Sequence, residues 1–295
     1  MTKLLKIGIF SLFFTIFAAG LQGQQSTAEE VEIILNTSAL RWDHTARFVL
    51  EAADVAAIKE PAEAFGFALE RGWIPKNARP ADPVRLNGLS LLLMRSFDLN
   101  GGWFYSIFKN PHYAYRELMY QDILPPGTDP AMQVSGERLL YMIGRILAIT
   151  EAERQRLVAT LNKQIARGSG AVTATVEVTK EGVSISLTNL QFQADDSTLT
   201  NTEKAKLKEI ARILKILPQK KLLVAGHTAL AGSEDGRLSI SQNRAQAVAD
   251  YLIHLRVRRP DEITVRGYGA IRPLADNATP EGMARNRRVE IIILE

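Results

Sequence analysis

The chain has 295 residues, 46% of them apolar and 23% charged, with a formal net charge of +4. That balance excludes a wholly disordered chain and is too weakly basic to mark a nucleic-acid binder by itself. The absence of cysteine excludes disulfides, a Cys-ligated metal centre, a cysteine nucleophile and a lipid-bearing N-terminal Cys.

Residues 1–23 have the layout of a Sec-type signal peptide. Lys3 and Lys6 form a positive start, and Ile7 to Ala19 is an apolar run. That run is short for a membrane span, which needs about 20 apolar residues. Small residues follow, so cleavage is expected after Gly20 or Gly23. The expected location is the periplasm, associated with the outer membrane or the cell wall.

Residues 24–168 read as a helical domain. Ser38 is a candidate cap for a long Ala-, Leu- and Val-rich run. A repeat at an offset of 50 residues aligns 64–99 with 114–149 without a gap. Identities fall at Ala64/Ala114, Pro75/Pro125, Pro80/Pro130, Val84/Val134, Leu89/Leu139 and Arg95/Arg145. Each unit reads as helix, Pro-containing loop and helix, because proline disfavours helix before it. Nothing in this stretch has the alternating ten-residue strands of a membrane barrel. Trp103, Phe104, Tyr105, Phe108, Tyr113 and Tyr115 cluster between the repeats. Two readings stay open for them: a sugar or partner groove, or packing of the linker.

This paired arrangement resembles the surface-layer homology (SLH) modules that hold bacterial proteins to wall polysaccharide. It departs from them in two ways. Val84-Arg85-Leu86 and Val134-Ser135-Gly136-Glu137 stand where those modules carry Thr-Arg-Ala-Glu, and two repeats are found where three are usual. The resemblance implies a wall glycan as partner. A helical packing domain without a ligand is the other reading.

Thr150 to Arg167 reads as a charged helix capped by Thr150, and Gly168-Ser169-Gly170 as a hinge. Residues 169–295 then change to period two. Ala171–Val178 and Gly182–Leu187 alternate as half-buried strands do. A helix follows from Thr202 to Leu217, stopped by Pro218. Lys221–Ala225 is a strand, Asn243–Leu255 a helix, Glu262–Arg266 a strand, and Arg288–Leu294 a strand apolar enough to be central. The fold class is α+β: an all-helical N-terminal domain, then a β-α-β-α-β arrangement with helices on one sheet.

Six landmarks occur in order across this half. They are Gly226-His227-Thr228, Ile240-Ser241-Gln242-Asn243-Arg244-Ala245, Gly267-Tyr268-Gly269, Pro273, Asn277 and Asn286-Arg287-Arg288-Val289-Glu290-Ile291. Together they resemble the OmpA-like C-terminal domain, a peptidoglycan-associating module, over residues 183–295. The resemblance implies a pocket for the diaminopimelate of the wall's stem peptide. An Arg reads its carboxylate and an Asp its ammonium. The Arg is present as Arg244. The Asp after Gly-His-Thr is replaced by Ala229, and an Asn of the family pattern aligns with Arg237. Glu234 and Asp235, read as part of the same loop, are candidates to replace the lost anion.

The candidate binding residues are therefore Arg244, Thr228, Ala229, Arg237, Asn286 and Arg287. Two functions follow: peptidoglycan association weakened by Ala229, or a module that has lost it and serves protein contacts. An outer-membrane protein, a lipoprotein or a wall glycan is the expected partner of the helical domain. No nucleophile elbow, Ser-x-x-Lys pair or paired carboxylates appear, so no catalytic residues and no enzyme are expected. His227 is read as a loop hydrogen-bonder rather than a base. The four histidines lack metal-ligand spacing, so no metal or cofactor is expected.

Overall fold

The computed structural model describes residues 21–125, 127–168, 174–188, 198–217 and 220–294. Most of the expected signal peptide, part of the expected hinge and Pro218, read as a helix stop, lie outside them. The chain divides into two compact units, Met1–Thr150 and Glu151–Glu295. Among the described residues no helix is long and apolar enough to cross a membrane.

The first unit is helical. It contains α1 (Leu21–Leu35), α2 (Trp42–Ala52), α3 (Pro61–Glu70), α4 (Leu86–Ser96), α5 (Trp103–Phe108), α6 (Pro111–Tyr120) and the start of α7 (Gly136–Ala166). Proline opens α3 and α6, where its missing N–H costs nothing. The 50-residue offset is visible in the fold, because α3 and α4 recur as α6 and α7. The paired residues Ala64/Ala114, Val84/Val134 and Leu89/Leu139 are all fully buried.

A third position joins them. Leu40 N donates to Val134 O, Val84 N to Leu40 O, and Val134 N to Val84 O, at 2.9, 2.9 and 3.0 Å. The extended residues before α2, α4 and α7 thus close a ring of three. Val49, Leu93 and Ile143 fill the matching buried sites on the three helices. The expectation of two repeats is corrected to three equivalent positions.

The expectation of a helix starting at Thr150 is also corrected. Residues 136–166 form the single helix α7, so Thr150 lies inside it. Its Glu three residues on mimics a capping box. The apolar run Ile146-Leu147-Ala148-Ile149 carries the helix through instead.

The second unit begins within α7, whose Leu161 joins its core. It adds β1 (Ala174–Val178), β2 (Gly182–Thr188), α8 (Asn201–Lys215), β3 (Leu222–Gly226) and α9 (Glu234–His254). After a short 3-10 turn come β4 (Ile263–Gly267), α10 (Pro280–Asn286) and β5 (Arg288–Leu294). Strand order is β1-β2-β5-β3-β4. Among the described strands only β3 and β4 run parallel, with α9 as their crossover. β5 lies at the centre, as its apolar run predicts. Ile185, Leu187, Val224, Ile291 and Ile293 meet Leu207, Ile210, Leu214, Val248 and Leu252 in one core.

One boundary differs widely from the sequence reading. α9 begins at Glu234, not Asn243. Ser233 caps it, accepting from Gly236 N at 3.2 Å. Glu234 and Asp235 occupy its first turn, where acids favour the helix dipole.

Candidate functional site

The landmarks meet at the C-terminal ends of β3 and β4. Gly226 ends β3 opposite Gly267, which ends β4. A Cβ on Gly226 would sit 2.0 Å from Ser241 O, and one on Gly267 2.6 Å from Gln242 N. Glycine at both ends lets α9 cross directly over the strand ends. Ser241 and Gln242 then lock it there. The Ser241 hydroxyl donates to Leu238 O and accepts from Gly269 N at 2.9 Å. Gln242 Oε1 accepts from Gly267 N at 2.6 Å. These two residues stood inside a sequence landmark without an assigned role. Their polar side chains beside a glycine-ended strand were the available signal.

Two loops lie beyond these strand ends, the one after β3 and the one between β4 and α10, and Asn286 ties them. It is fully buried at the end of α10. Its Oδ1 accepts from Leu274 N and Ala275 N at 2.7 and 3.0 Å. Its Nδ2 donates to Ala275 O and to Asn277 Oδ1 at 2.8 and 2.9 Å. Asn277 Oδ1 also accepts from Leu230 N at 3.1 Å, bringing in the loop after β3. This is the full hydrogen-bonding capacity of the Asn286 amide. The expectation that Asn286 contacts a ligand is therefore corrected: its polar atoms are spent on holding the loops.

The adjacent arginines have different surroundings. Arg288 is buried, pairing with Glu290 at 2.7 Å and donating to Arg272 O at 3.1 Å. Arg287 is exposed and enters no ion pair among the described residues. Arg244, half-buried on α9, lies within electrostatic range of Arg287. Burial lowers the Arg244 pKa from its ordinary value, and the Arg287 charge lowers it further. Arginine stays charged regardless.

Thr228 donates through its backbone N to Gly269 O at 2.8 Å. Its buried hydroxyl has no hydrogen-bond partner among the described residues. Ala229 is buried beside it in sequence. Arg237 lies two turns before Arg244 on α9 and donates to Gly232 O. The expectation that Glu234 or Asp235 replaces the missing anion is corrected. Both are on the capped first turn of α9, ten and nine residues and so about 14–15 Å along the axis from Arg244. The site residues thus include two guanidinium groups within electrostatic range of each other and a buried hydroxyl on the loop after β3.

Behind the cleft, the buried His227 ring stacks on Tyr268 with centroids 5.4 Å apart. Its Nε2 lies 3.7 Å from Glu290 Oε1. Arg272 covers Tyr268, its guanidinium carbon 3.9 Å from the ring centroid, and pairs with Glu181 at 2.8 Å. Burial pushes the His227 pKa below 6.5 despite Glu290. Burial works to raise the Glu290 pKa, but His227 and Arg288 outweigh it and hold the carboxyl at about 2 rather than 4.5.

Both shifts act in the same direction on stability. The unfolded chain binds more protons than the folded one below pH 6.5 at His227 and below pH 4.5 at Glu290. Urea midpoints are expected to fall as pH drops through these windows. Glu290→Gln is expected to flatten the lower one. A midpoint unchanged from pH 7 to 4 contradicts this. Among the described residues no group of three or more His, Asp or Glu side chains could hold a metal ion.

Most of these residues, though not Glu181, Arg288 and Glu290, fall inside a recognised segment. Residues 191–287 form an OmpA family domain. The peptidoglycan-binding protein ArfA of Mycobacterium tuberculosis is 39% identical over 104 residues, covering 35% of this chain and 32% of that protein. Outer membrane porin F of Pseudomonas aeruginosa is 37% identical over 102 residues, covering 35% of this chain and 29% of the porin. A solved outer membrane protein from Borrelia burgdorferi B31 is 30% identical, covering 42% of this chain and 98% of that one, with a TM-score of 0.35. The chain thus spans about a third of the length of these curated relatives. The SLH resemblance of the first unit has no counterpart in the family match, which lies in the second unit.

Proposed function

We propose that this protein is a non-enzymatic envelope protein whose OmpA family domain associates non-covalently with peptidoglycan. One observation carries the reading: residues 191–287 match the OmpA family, and inside that segment α9, which carries Arg244, is locked across the ends of β3 and β4 by Ser241 and Gln242. The Arg244 guanidinium there is the group that takes a carboxylate of the stem peptide. A guanidinium fork reads that group in two parallel hydrogen bonds. Peptidoglycan association by name in ArfA supports the wall as the source of the carboxylate.

The finer points belong to the same proposal. Ala229 offers no anion for the ammonium of diaminopimelate, so binding is weaker than an Asp would allow. Residues 1–23 export the chain to the periplasm, 24–168 form the helical domain and 169–295 the wall-binding one. The helical domain holds the protein to another envelope component. An outer-membrane protein, a lipoprotein and a wall glycan are the partners considered from sequence.

The full chain is expected to pellet with insoluble peptidoglycan and to be released by excess soluble stem peptide. A chain that stays in the supernatant at all wall concentrations rejects the reading. It favours the second one, a domain that has kept its frame and serves protein contacts; the missing acid at Ala229 is the observation behind that alternative.

A further inference from the structure

Neither ring nitrogen of the buried His227 makes a hydrogen bond among the described residues. Glu290 Oε1, at 3.7 Å, is beyond hydrogen-bond length. The ring stacks instead. It lies 5.4 Å from the Tyr268 centroid, with the planes 17° apart. Tyr268 in turn holds the Arg272 guanidinium over its ring, and Arg272 pairs with Glu181 in the turn between β1 and β2. The Arg272 carbonyl accepts from Arg288 Nη2. A line of side chains thus runs from the end of β3 to the loop between β4 and α10.

Burial does little to hold the start of that loop. Residues 271–274 are exposed, and a segment with so little burial opens at low cost. The loop matters to the site because its Asn277 accepts from Leu230 N, in the loop that carries Thr228 and Ala229.

Charge sets the condition for the stack. The ring is surrounded by Arg288 and Glu290 of β5 and by Tyr268 and Arg272 of the loop, with Glu181 behind Arg272. β2 places Ser186 and Thr188 opposite Glu290 and Arg288 and adds no charge. Arg266 on β4, Asp276 in the loop and Glu281 and Arg285 on α10 are exposed. Glu290 is already paired with Arg288 at 2.7 Å. A proton on His227 would therefore bring a second cation to the ring that holds Arg272, in a buried place and beside Arg288. Burial, then the Arg288 and Arg272 charges, lower the His227 pKa against the pull of Glu290. A lifted loop lets water reach the ring, so the open form takes the proton more readily than the closed one.

We propose that His227 is a positioning residue that works as an acid-sensitive latch: neutral, it holds Tyr268 and Arg272 and with them the loop between β4 and α10; protonated, it lets that loop lift, and wall association weakens. The last step rests on the peptidoglycan reading above. The latch itself does not.

Two measurements on the full chain decide it. The first is amide hydrogen exchange, corrected for the intrinsic rate, at Ile271 and Leu274, whose N–H groups donate to Tyr268 O and Asn286 Oδ1. From pH 7.5 to 5.0 their protection is expected to fall by up to about 30-fold, the gain in proton binding by a lifted histidine of ordinary pKa. They are expected to exchange well ahead of Val224 and Ile291 in the core. Protection that does not change with pH overturns the latch. So does exchange of all four amides together, which marks general acid destabilisation.

The second is co-sedimentation with insoluble peptidoglycan at the same two pH values, beside His227→Phe. That variant keeps a ring for Tyr268 and cannot take a proton. Wild-type affinity is expected to fall several-fold in acid and that of His227→Phe to hold. The wall's own carboxylates titrate alike for both proteins, so an equal acid loss in both overturns the proposal. His227→Gln, which also takes no proton, replaces the Phe variant if circular dichroism shows that one unfolded. A wild-type chain that does not pellet at pH 7.5 rejects the wall reading, and the exchange result then decides the latch alone.

Discussion

Arg244→Ala is expected to lower affinity for insoluble peptidoglycan by roughly 10- to 150-fold. The range follows from one charge-assisted hydrogen-bonded group, worth about 1.5–3 kcal/mol. Removing Arg244 deletes the half-buried cation of the cleft and leaves Arg287, which is exposed and screened. Arg244→Lys should fall between wild type and Ala, since a point charge remains but the fork is gone. Ala229→Asp is expected to act in the opposite direction and raise affinity by a similar factor. It restores an anion at the position from which the family resemblance implies the ammonium is read. Binding curves for the three variants in one co-sedimentation series check all of this. If Arg244→Ala binds like wild type, the carboxylate is not read in this cleft.

Gly226→Ala is expected to destabilise the C-terminal unit by about 3 kcal/mol or more. The added methyl would lie 2.0 Å from Ser241 O and 2.8 Å from its carbonyl carbon. These are backbone atoms of a helix packed on a full core, so the whole of α9 must lift. Overpacking typically costs about 1–3 kcal/mol, and a backbone clash sits at the upper end. A loss of that size corresponds to roughly 10 °C in the melting temperature for a unit of this size. Gly66→Ala is the matched control, because no atom lies within 4 Å of its built Cβ. On a helix that change is expected to be neutral or stabilising. Differential scanning calorimetry separates the two outcomes. A Gly226→Ala protein that melts like wild type would mean α9 does not press on the strand end.

Much of the second unit was legible because its signals are local and redundant. Gly182–Leu187 alternates cleanly enough to be read as a strand, though β2 is buried on both faces rather than half-buried, and Arg288–Leu294 is apolar enough to demand a central place. The start of α9 was hidden. Its first turns, Glu234 to Ile240, carry a glycine and no apolar stripe, and they are largely exposed. Periodicity has nothing to report where a helix extends beyond the core. The cap did leave a mark: Ser233 followed by two acids is a start signal that outweighs the missing stripe.

The third repeat position was hidden for a different reason. Leu40 lies 44 residues before Val84, while Val84 lies 50 before Val134. A fixed offset therefore finds the second pair alone. What the three share is burial and backbone pairing, which many side chains satisfy.

The site was legible only in part. Arg244 and Thr228 emerged from the ordered landmarks. Asn286 was grouped with them because chemistry alone cannot tell a ligand-facing amide from one whose bonds are all internal. The exposure of Trp103, Phe104 and Phe108 on α5 was also illegible. In a six-residue helix where five residues are apolar, no pattern distinguishes inside from outside.

The most direct test of the central claim is nuclear magnetic resonance of the full chain titrated with a soluble stem peptide bearing diaminopimelate. The account predicts that the Arg244 and Arg287 side-chain signals and the Thr228 amide shift together and saturate. It also predicts that the Arg258 side chain, held at 2.8 Å by Lys220 O away from the cleft residues in sequence, stays in place. A titration in which Arg244 and Arg287 do not move, whatever else shifts, contradicts it.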